Sequence, residues 1–248
     1  VGCSDIALVE VDSDEQVQRL EGLPNPKVTD ASPVGEIAFS PDGELVAGAG
    51  LEGDLIVWSV EDGEEVASAD LGGGIGSVSF SPDGERLAVA SGDTVSILEA
   101  DSGDQVGTVS AASDAAPVWS PDGRWIAGVT TGGAPTVWDA ENLKAVETLP
   151  GFAAASVAFS PDSRSLAAVS EGGDGPQVDK TRLTLWTPTA LGGAGESRDV
   201  TRAASPGSNL IFSPDGKILF TASAEDGLAA WDVATGEPAA QLDQPPMS

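Results

Sequence analysis

The sequence predicts an all-β fold, a β-propeller of four-stranded antiparallel blades. Three observations predict it. An aromatic residue followed by Ser-Pro-Asp-Gly recurs at Phe39–Gly43, Phe80–Gly84, Trp119–Gly123 and Phe212–Gly216, and once more with a final serine at Phe159–Ser163. The aromatic residues are spaced by 41, 39, 40 and 53 residues, and a period near 40 with several short strands per period marks a propeller or an array. No stretch sustains a helical period of about 3.6, and short apolar runs alternate with turn signals roughly every ten residues.

Residues 1–20 read as the second half of a repeat. Ile6–Val11, the acidic turn Asp12–Glu15 and Gln16–Leu20 align without a gap on Leu55–Val60, Glu61–Gly63 and the run from Glu64, with Val9 standing where Trp58 stands. Glu21–Pro33 carries Pro24, Pro26 and Pro33. Each pushes its preceding residue out of the helical region, so this stretch is an irregular connection. The first full repeat then places strands at Gly35–Phe39, Leu45–Ala47, Leu55–Val60 and from Glu65. Its Ser40-Pro-Asp-Gly43 corner suits a tight turn: proline sets φ at the first corner, aspartate tolerates the bridge conformation, and glycine takes positive φ. The later repeats follow the same order. Five complete blades are expected, at about 34–71, 75–110, 115–150, 154–201 and 207–243, behind an N-terminal half blade at 5–20. All belong to one domain spanning 1–248, in a ring of six positions, with seven as the alternative.

Here the resemblance is specific. The pairs Trp138-Asp139 and Trp231-Asp232, the variants Trp58-Ser59 and Trp186-Thr187, and the aromatic-Ser-Pro-Asp-Gly phrase resemble the WD-repeat β-propeller family, in its bacterial and archaeal type, over nearly the whole chain. Members of the family often carry a Gly-His pair whose histidine joins a buried hydrogen-bond network. This chain has no histidine, so the network is expected to be absent or replaced.

Composition excludes several classes. With 11 basic and 40 acidic residues the formal net charge is −29, which repels nucleic acid and anionic lipid headgroups. No apolar run reaches the ~18 residues of a membrane span. The lack of histidine removes imidazole from catalysis and metal binding, and a single cysteine allows no internal disulfide.

Length variation points to a surface. In a four-stranded meander the first-to-second and third-to-fourth turns share one end of the sheet, and the second-to-third turn and the link to the next sheet share the other. The extra residues fall in Glu21–Pro33, Ser170–Arg182 and Pro188–Ser208. The expectation is that they all emerge at the second end, where variable loops on a rigid scaffold carry recognition; extra residues before Asn209 could instead lengthen a fourth strand. Lys27, Asp174, Gln177, Asp179, Lys180, Arg182, Arg198 and Arg202 lie in or beside these segments and are the candidate partner-binding residues.

The remaining motifs are weighed against plain structural roles. Asp42, Asp83, Asp122, Asp162 and Asp215 are expected to shape their own turns rather than bind cations. Ser163 replaces the usual glycine and is expected to be mildly strained. Asp12–Glu15 and Glu171–Gly175 with Asp179 lack the full spacing of a calcium loop. Gly72–Gly76 and Gly192–Gly195 lack the strand-to-helix context of a phosphate loop. Trp58, Trp138, Trp186 and Trp231 share one register and are expected to pack between blades. Trp125 falls outside it and is expected at the surface. Val1-Gly-Cys-Ser4 resembles the end of a bacterial lipoprotein leader, with Cys3 as the acylated residue. This places the chain slightly in favour of an extracytoplasmic or lipid-anchored location.

The expected function is therefore a non-enzymatic interaction scaffold, a subunit of a larger assembly, with no cofactor. The alternatives are a carboxylate- and calcium-dependent enzyme or small-ligand binder at a central channel, and an acylated cell-surface sensor.

Overall fold

The computed structural model describes residues 6–9, 16–20, 34–50, 52–111, 116–149, 154–170, 183–191, 195–201, 209–223 and 227–241. They form five four-stranded antiparallel sheets and one two-stranded sheet. This is the blade pattern of a β-propeller, and apart from one short 3-10 turn the described residues hold no helix. The chain divides into two compact units, Val1–Pro117 and Val118–Ser248.

In the first unit, β1 (Ile6–Val9) and β2 (Gln16–Leu20) form the two-stranded sheet. A first complete sheet follows as β3 (Val34–Phe39), β4 (Leu45–Gly50), β5 (Asp54–Ser59) and β6 (Glu65–Asp70). The second is β7 (Ile75–Phe80), β8 (Arg86–Ser91), β9 (Thr94–Glu99) and β10 (Gln105–Ser110).

The second unit holds three complete sheets. The third is β11 (Val118–Trp119), β12 (Trp125–Val129), β13 (Pro135–Asp139) and β14 (Ala145–Thr148). The fourth is β15 (Ala154–Phe159), β16 (Leu166–Ser170), β17 (Leu183–Thr187) and β18 (Glu196–Thr201). The fifth is β19 (Asn209–Phe212), β20 (Ile218–Ser223), β21 (Gly227–Asp232) and β22 (Pro238–Gln241). Every sheet is a meander in chain order.

Burial follows strand position. The second and third strands are almost wholly buried, as in β8 and β9, and therefore read as continuous apolar runs rather than alternations. The fourth strands are mostly exposed and alternate. The core lies between successive sheets. Ala47, Ala49, Leu55 and Val57 of the first complete sheet pack with Val78, Phe80, Leu87 and Val89 of the second. In the other unit Ala167, Val169, Leu183 and Leu185 of the fourth sheet pack with Phe212, Leu219 and Trp231 of the fifth. Trp58, Trp138, Trp186 and Trp231 are all buried, as their shared register implies.

Trp125 is a correction. It is 9% exposed rather than a surface residue. It opens β12, a strand whose five residues are all buried, and the Arg124 guanidinium lies 5.3 Å from its ring centre.

Candidate functional site

Each Ser-Pro-Asp-Gly corner sits at the tip of a first-to-second hairpin, and its chemistry is spent locally. The serine hydroxyl donates to the aspartate at 2.6 Å in Ser40–Asp42, Ser120–Asp122 and Ser160–Asp162, with the same bond in Ser81–Asp83 and Ser213–Asp215. The same hydroxyl accepts the backbone N–H five residues on, from Leu45, Arg86, Trp125, Ser165 and Ile218. The aspartate also accepts the N–H two residues on, from Glu44, Glu85, Arg124, Arg164 and Lys217. A carboxylate that accepts several donors is held ionised. The serine hydroxyl, as the leading cause, keeps Asp42, Asp83, Asp162 and Asp215 below the usual aspartate range. These aspartates shape turns.

Successive corners also touch. A side-chain carbon at Gly84 would lie 3.8 Å from Pro41 of the preceding corner, and one at Gly216 would lie 3.5 Å from Pro161. At the same position Ser163 has φ of 60° and accepts the N–H of Asp122, in the preceding corner, at 3.1 Å. The strain expected at Ser163 is present, and a hydrogen bond between sheets accompanies it.

The third-to-fourth turns are gripped in a second way. Gln18, Glu147 and Arg198 share one register on the fourth strand, each paired with the residue before the tryptophan position: Leu8, Val137 and Leu185. Each reaches the next sheet's third-to-fourth turn. Gln18 donates to the Asp62 carbonyl, Thr189 donates to Glu147 at 2.8 Å, and the Arg198 guanidinium donates to the Val233 and Ala234 carbonyls. Where Ala67 takes this place, the turn comes closer still, and a carbon added to Gly103 would stand 2.6 Å from the Ser68 carbonyl oxygen. Sequence reading missed this row because its members share no chemistry, only a register. Asp232, in the turn that Arg198 grips, is held below the usual range by the Thr235 N–H first and by Arg198 more weakly.

Connections at the opposite end vary more. The second-to-third connection is two residues, Gly92-Asp93, between β8 and β9, but twelve, 171–182, between β16 and β17. One expectation needs correcting. Part of the Pro188–Ser208 excursion lies at the corner end, because β17 and β18 are joined by eight residues, 188–195, where the other complete sheets use five. That connection folds into a 3-10 turn at Thr189–Leu191, closed by Leu191 N–H to Pro188 and Gly195 N–H to Thr187, with Leu191 buried. The length from Trp186 to Phe212 is a sum over turn, strand and link, and a sum cannot reveal its parts.

Of the candidate partner-binding residues, Arg198 is described, and it holds the adjacent turn. Lys27, Asp174, Gln177, Asp179, Lys180, Arg182, Arg202 and Cys3 lie outside the described residues, as do both loose calcium-loop stretches. Among the described residues no group of three or more acidic or cysteine side chains is placed to hold a metal ion, and no helix is long and apolar enough to cross a membrane. The Gly72–Gly76 run is a tight link. Gly72 N–H bonds to Asp70, Ser91 bonds to the Gly73 carbonyl, and a carbon on Gly53 would lie 2.7 Å from the Gly73 nitrogen.

The family model for the WD domain, G-beta repeat, matches residues 24–59 and 66–98. These two stretches are similar to WD repeats. The second match runs from within β6 to within β9, so one WD repeat joins the outer strand of one sheet to the inner three of the next. WD repeats serve in protein–protein interaction. No curated protein matches the chain.

Proposed function

We propose that this chain is a non-enzymatic interaction scaffold, a subunit of a larger assembly, which engages a protein partner through the sheet ends that carry the second-to-third turns and the links. The supporting observation is the contrast between the two ends. At the corner end the aspartates are bonded to their own turns, and successive corners are bonded or packed together. At the other end the connections run from two residues to the twelve of 171–182 and the thirteen of 21–33, and Lys27, Lys180, Arg182 and Arg202 interrupt a strongly acidic sequence there. Loops of variable length that carry basic residues suit recognition of a protein surface.

The experiment is affinity capture from the native source with two variants. One replaces 171–182 by Gly-Asp, the length used between β8 and β9; the other reverses Lys27, Lys180, Arg182 and Arg202 to glutamate. A stoichiometric protein that is retained by the wild type and lost from both variants supports the reading. A partner held equally by all three, or a strictly monomeric chain with none, defeats it. Stoichiometric Ca²⁺ uptake in calorimetry would favour the carboxylate–calcium alternative.

A further inference from the structure

Aspartate followed by glycine or serine is the step at which a polypeptide isomerises most readily. The backbone nitrogen of the small residue closes on the aspartate side-chain carbon, and no bulky side chain obstructs it. The described residues hold five Asp-Gly steps, at Asp42, Asp62, Asp83, Asp122 and Asp215, and two Asp-Ser steps, at Asp101 and Asp162.

The fold closes six of these seven. In each of the six, the nitrogen that would attack already donates its hydrogen to a carbonyl: Gly43 to Ser40, Gly63 to Ser59, Gly84 to Ser81, Gly123 to Ser120, Ser163 to Ser160 and Gly216 to Ser213, at 2.8–2.9 Å. The carboxylate that would be attacked is held too. It accepts the N–H two residues on, from Glu44, Glu64, Glu85, Arg124, Arg164 and Lys217. In the five corners it also accepts the serine hydroxyl. Such bonds favour the ionised form, and an ionised carboxylate does not lose water. Ring closure at these steps requires both groups to break their bonds together.

Asp101-Ser102 is different. It lies in the turn between β9 and β10, and both residues are exposed. The amides on either side are engaged, Ala100 with the Glu85 carbonyl and Gly103 with the Glu99 carbonyl. Among the described residues neither the Ser102 N–H nor the Asp101 carboxylate has a partner. The cause is one substitution in the repeat. In the third and fifth complete sheets the amide at this place, Asn142 or Thr235, is capped by the carboxylate three residues back, Asp139 or Asp232. In the second sheet Glu99 stands there instead, and its carboxylate is paired with Arg86 at 3.3 Å. The residue at the place of Asp101 is Glu61, Glu141 or Ala234 in the first, third and fifth complete sheets, so the uncapped amide and the aspartate coincide in this turn.

We propose that Asp101 is the site at which the folded chain isomerises to isoaspartate, ahead of the described Asp-Gly steps that local chemistry alone favours. The Ser102 nitrogen loses its proton and bonds to the Asp101 side-chain carbon. The carbon–hydroxyl bond of the protonated carboxyl breaks, and one water leaves. Hydrolysis of the resulting succinimide takes up one water. Opening at the side-chain carbonyl restores aspartate; opening at the main-chain carbonyl routes the backbone through the side-chain carbon. The turn is then one carbon longer beside Gly103, where an added carbon already stands 2.6 Å from the Ser68 carbonyl oxygen. The modification therefore works against the contact between the first and second complete sheets. It involves none of the loops of the scaffold reading, and neither depends on the other.

The test ages the 248-residue chain in mildly acidic buffer made with heavy-oxygen water, folded and, in parallel, unfolded in guanidinium. Peptide mapping reads isoaspartate and the incorporated oxygen at each aspartate. In the folded chain Asp101 should lead the six closed steps severalfold, whereas in the unfolded chain the five Asp-Gly steps should overtake it. Ser102→Val, which crowds the attacking nitrogen in an exposed turn, should slow the reaction at Asp101 and leave the closed steps unchanged. An Asp-Gly step that converts as fast as Asp101 in the folded chain overturns the proposal. So does an Asp101 that stays unchanged in the folded chain while the unfolded Asp-Gly steps convert. Conversion at Asp101 that Ser102→Val does not slow overturns it as well, since the ring would not be closing through that nitrogen.

Discussion

Asp122 donates its backbone N–H to the hydroxyl of Ser163 across two neighbouring sheets, at 3.1 Å, and Ser163 is one of two described non-glycine residues with positive φ. The hydroxyl offsets the conformation. Ser163→Gly should relieve the strain and lose the bond, leaving stability nearly unchanged. Ser163→Ala should keep the strain and lose the bond, at a cost of about 1–2 kcal/mol. Urea denaturation of the two variants beside the wild type separates the terms: Ser163→Ala as stable as the wild type would show that the bond contributes nothing, and equal stability of the two variants would show that the strain contributes nothing.

How much of this was legible in the sequence divides along a physical line. Local chemistry was legible: Ser-Pro-Asp-Gly contains its own proline, its own acceptor and its own glycine, so the hairpin tips could be placed without knowing what surrounds them. Register was legible for the recurring tryptophans, because their size and spacing repeat. What was not legible is contact between repeats. Gln18, Glu147 and Arg198 occupy one register with three different chemistries. Trp125 is buried although it stands outside the recurring tryptophan register. The 3-10 turn at Thr189–Leu191 was hidden because a length between two landmarks says nothing of where the extra residues fold. Of the candidate partner-binding residues only Arg198 belongs to the described chain, and its guanidinium is engaged by the next turn.

Gly103 and Gly43 both have positive φ, 74° and 77°, but they differ in room. Around Gly43 there is open space, whereas a carbon on Gly103 would meet the Ser68 carbonyl oxygen at 2.6 Å. Gly43→Ala should therefore cost only the backbone term, about 1 kcal/mol. Gly103→Ala should cost that plus about 1–3 kcal/mol for forcing two sheets apart. Thermal midpoints of the pair check the difference, and similar shifts would mean that the sheets separate freely.

Arg198 grips the Val233 and Ala234 carbonyls with both terminal nitrogens. A lysine cannot reproduce that fork. Arg198→Lys should consequently lose most of what Arg198→Ala loses, about 1 kcal/mol for an exposed site. Full rescue by lysine in chemical denaturation would reduce the contact to simple charge.

The acid limb of stability follows from the corners. Asp42, Asp83, Asp162 and Asp215 are held below the ordinary value of 3.8 by their serine hydroxyls. A group whose folded pKa is depressed contributes stability that is present above the unfolded value and lost as pH falls through the folded one. Lowering pH from neutrality first relieves repulsion in a chain of net charge −29. The thermal midpoint should thus rise from pH 7 toward about 5 at low salt, then fall below about 4. Asp83→Asn with Asp162→Asn should destabilise at neutral pH and converge on the wild type below the folded range. A variant that runs parallel to the wild type at every pH would remove these carboxylates from the explanation.

One of the recurring tryptophans is held by a buried hydroxyl of the neighbouring strand. The Trp231 indole N–H donates to the Thr221 hydroxyl at 3.1 Å, with both residues buried. In the first complete sheet the equivalent of Thr221 is Gly48, and there space is the constraint, since an added carbon would lie 2.8 Å from the Trp58 ring and 2.9 Å from Ile6. One register position thus serves either as acceptor or as clearance for the same tryptophan. Thr221→Val keeps the shape and removes the acceptor, which leaves a buried donor unpaired and should cost about 1–3 kcal/mol. Thr221→Ser should recover most of that loss, because the hydroxyl is what matters. Gly48→Ala should destabilise by overpacking, about 1–3 kcal/mol, although it adds only a methyl group. Urea denaturation of the three variants, with Trp fluorescence as the readout, checks the set. If valine were tolerated at 221 as well as serine, the hydroxyl would be incidental and packing alone would seat Trp231.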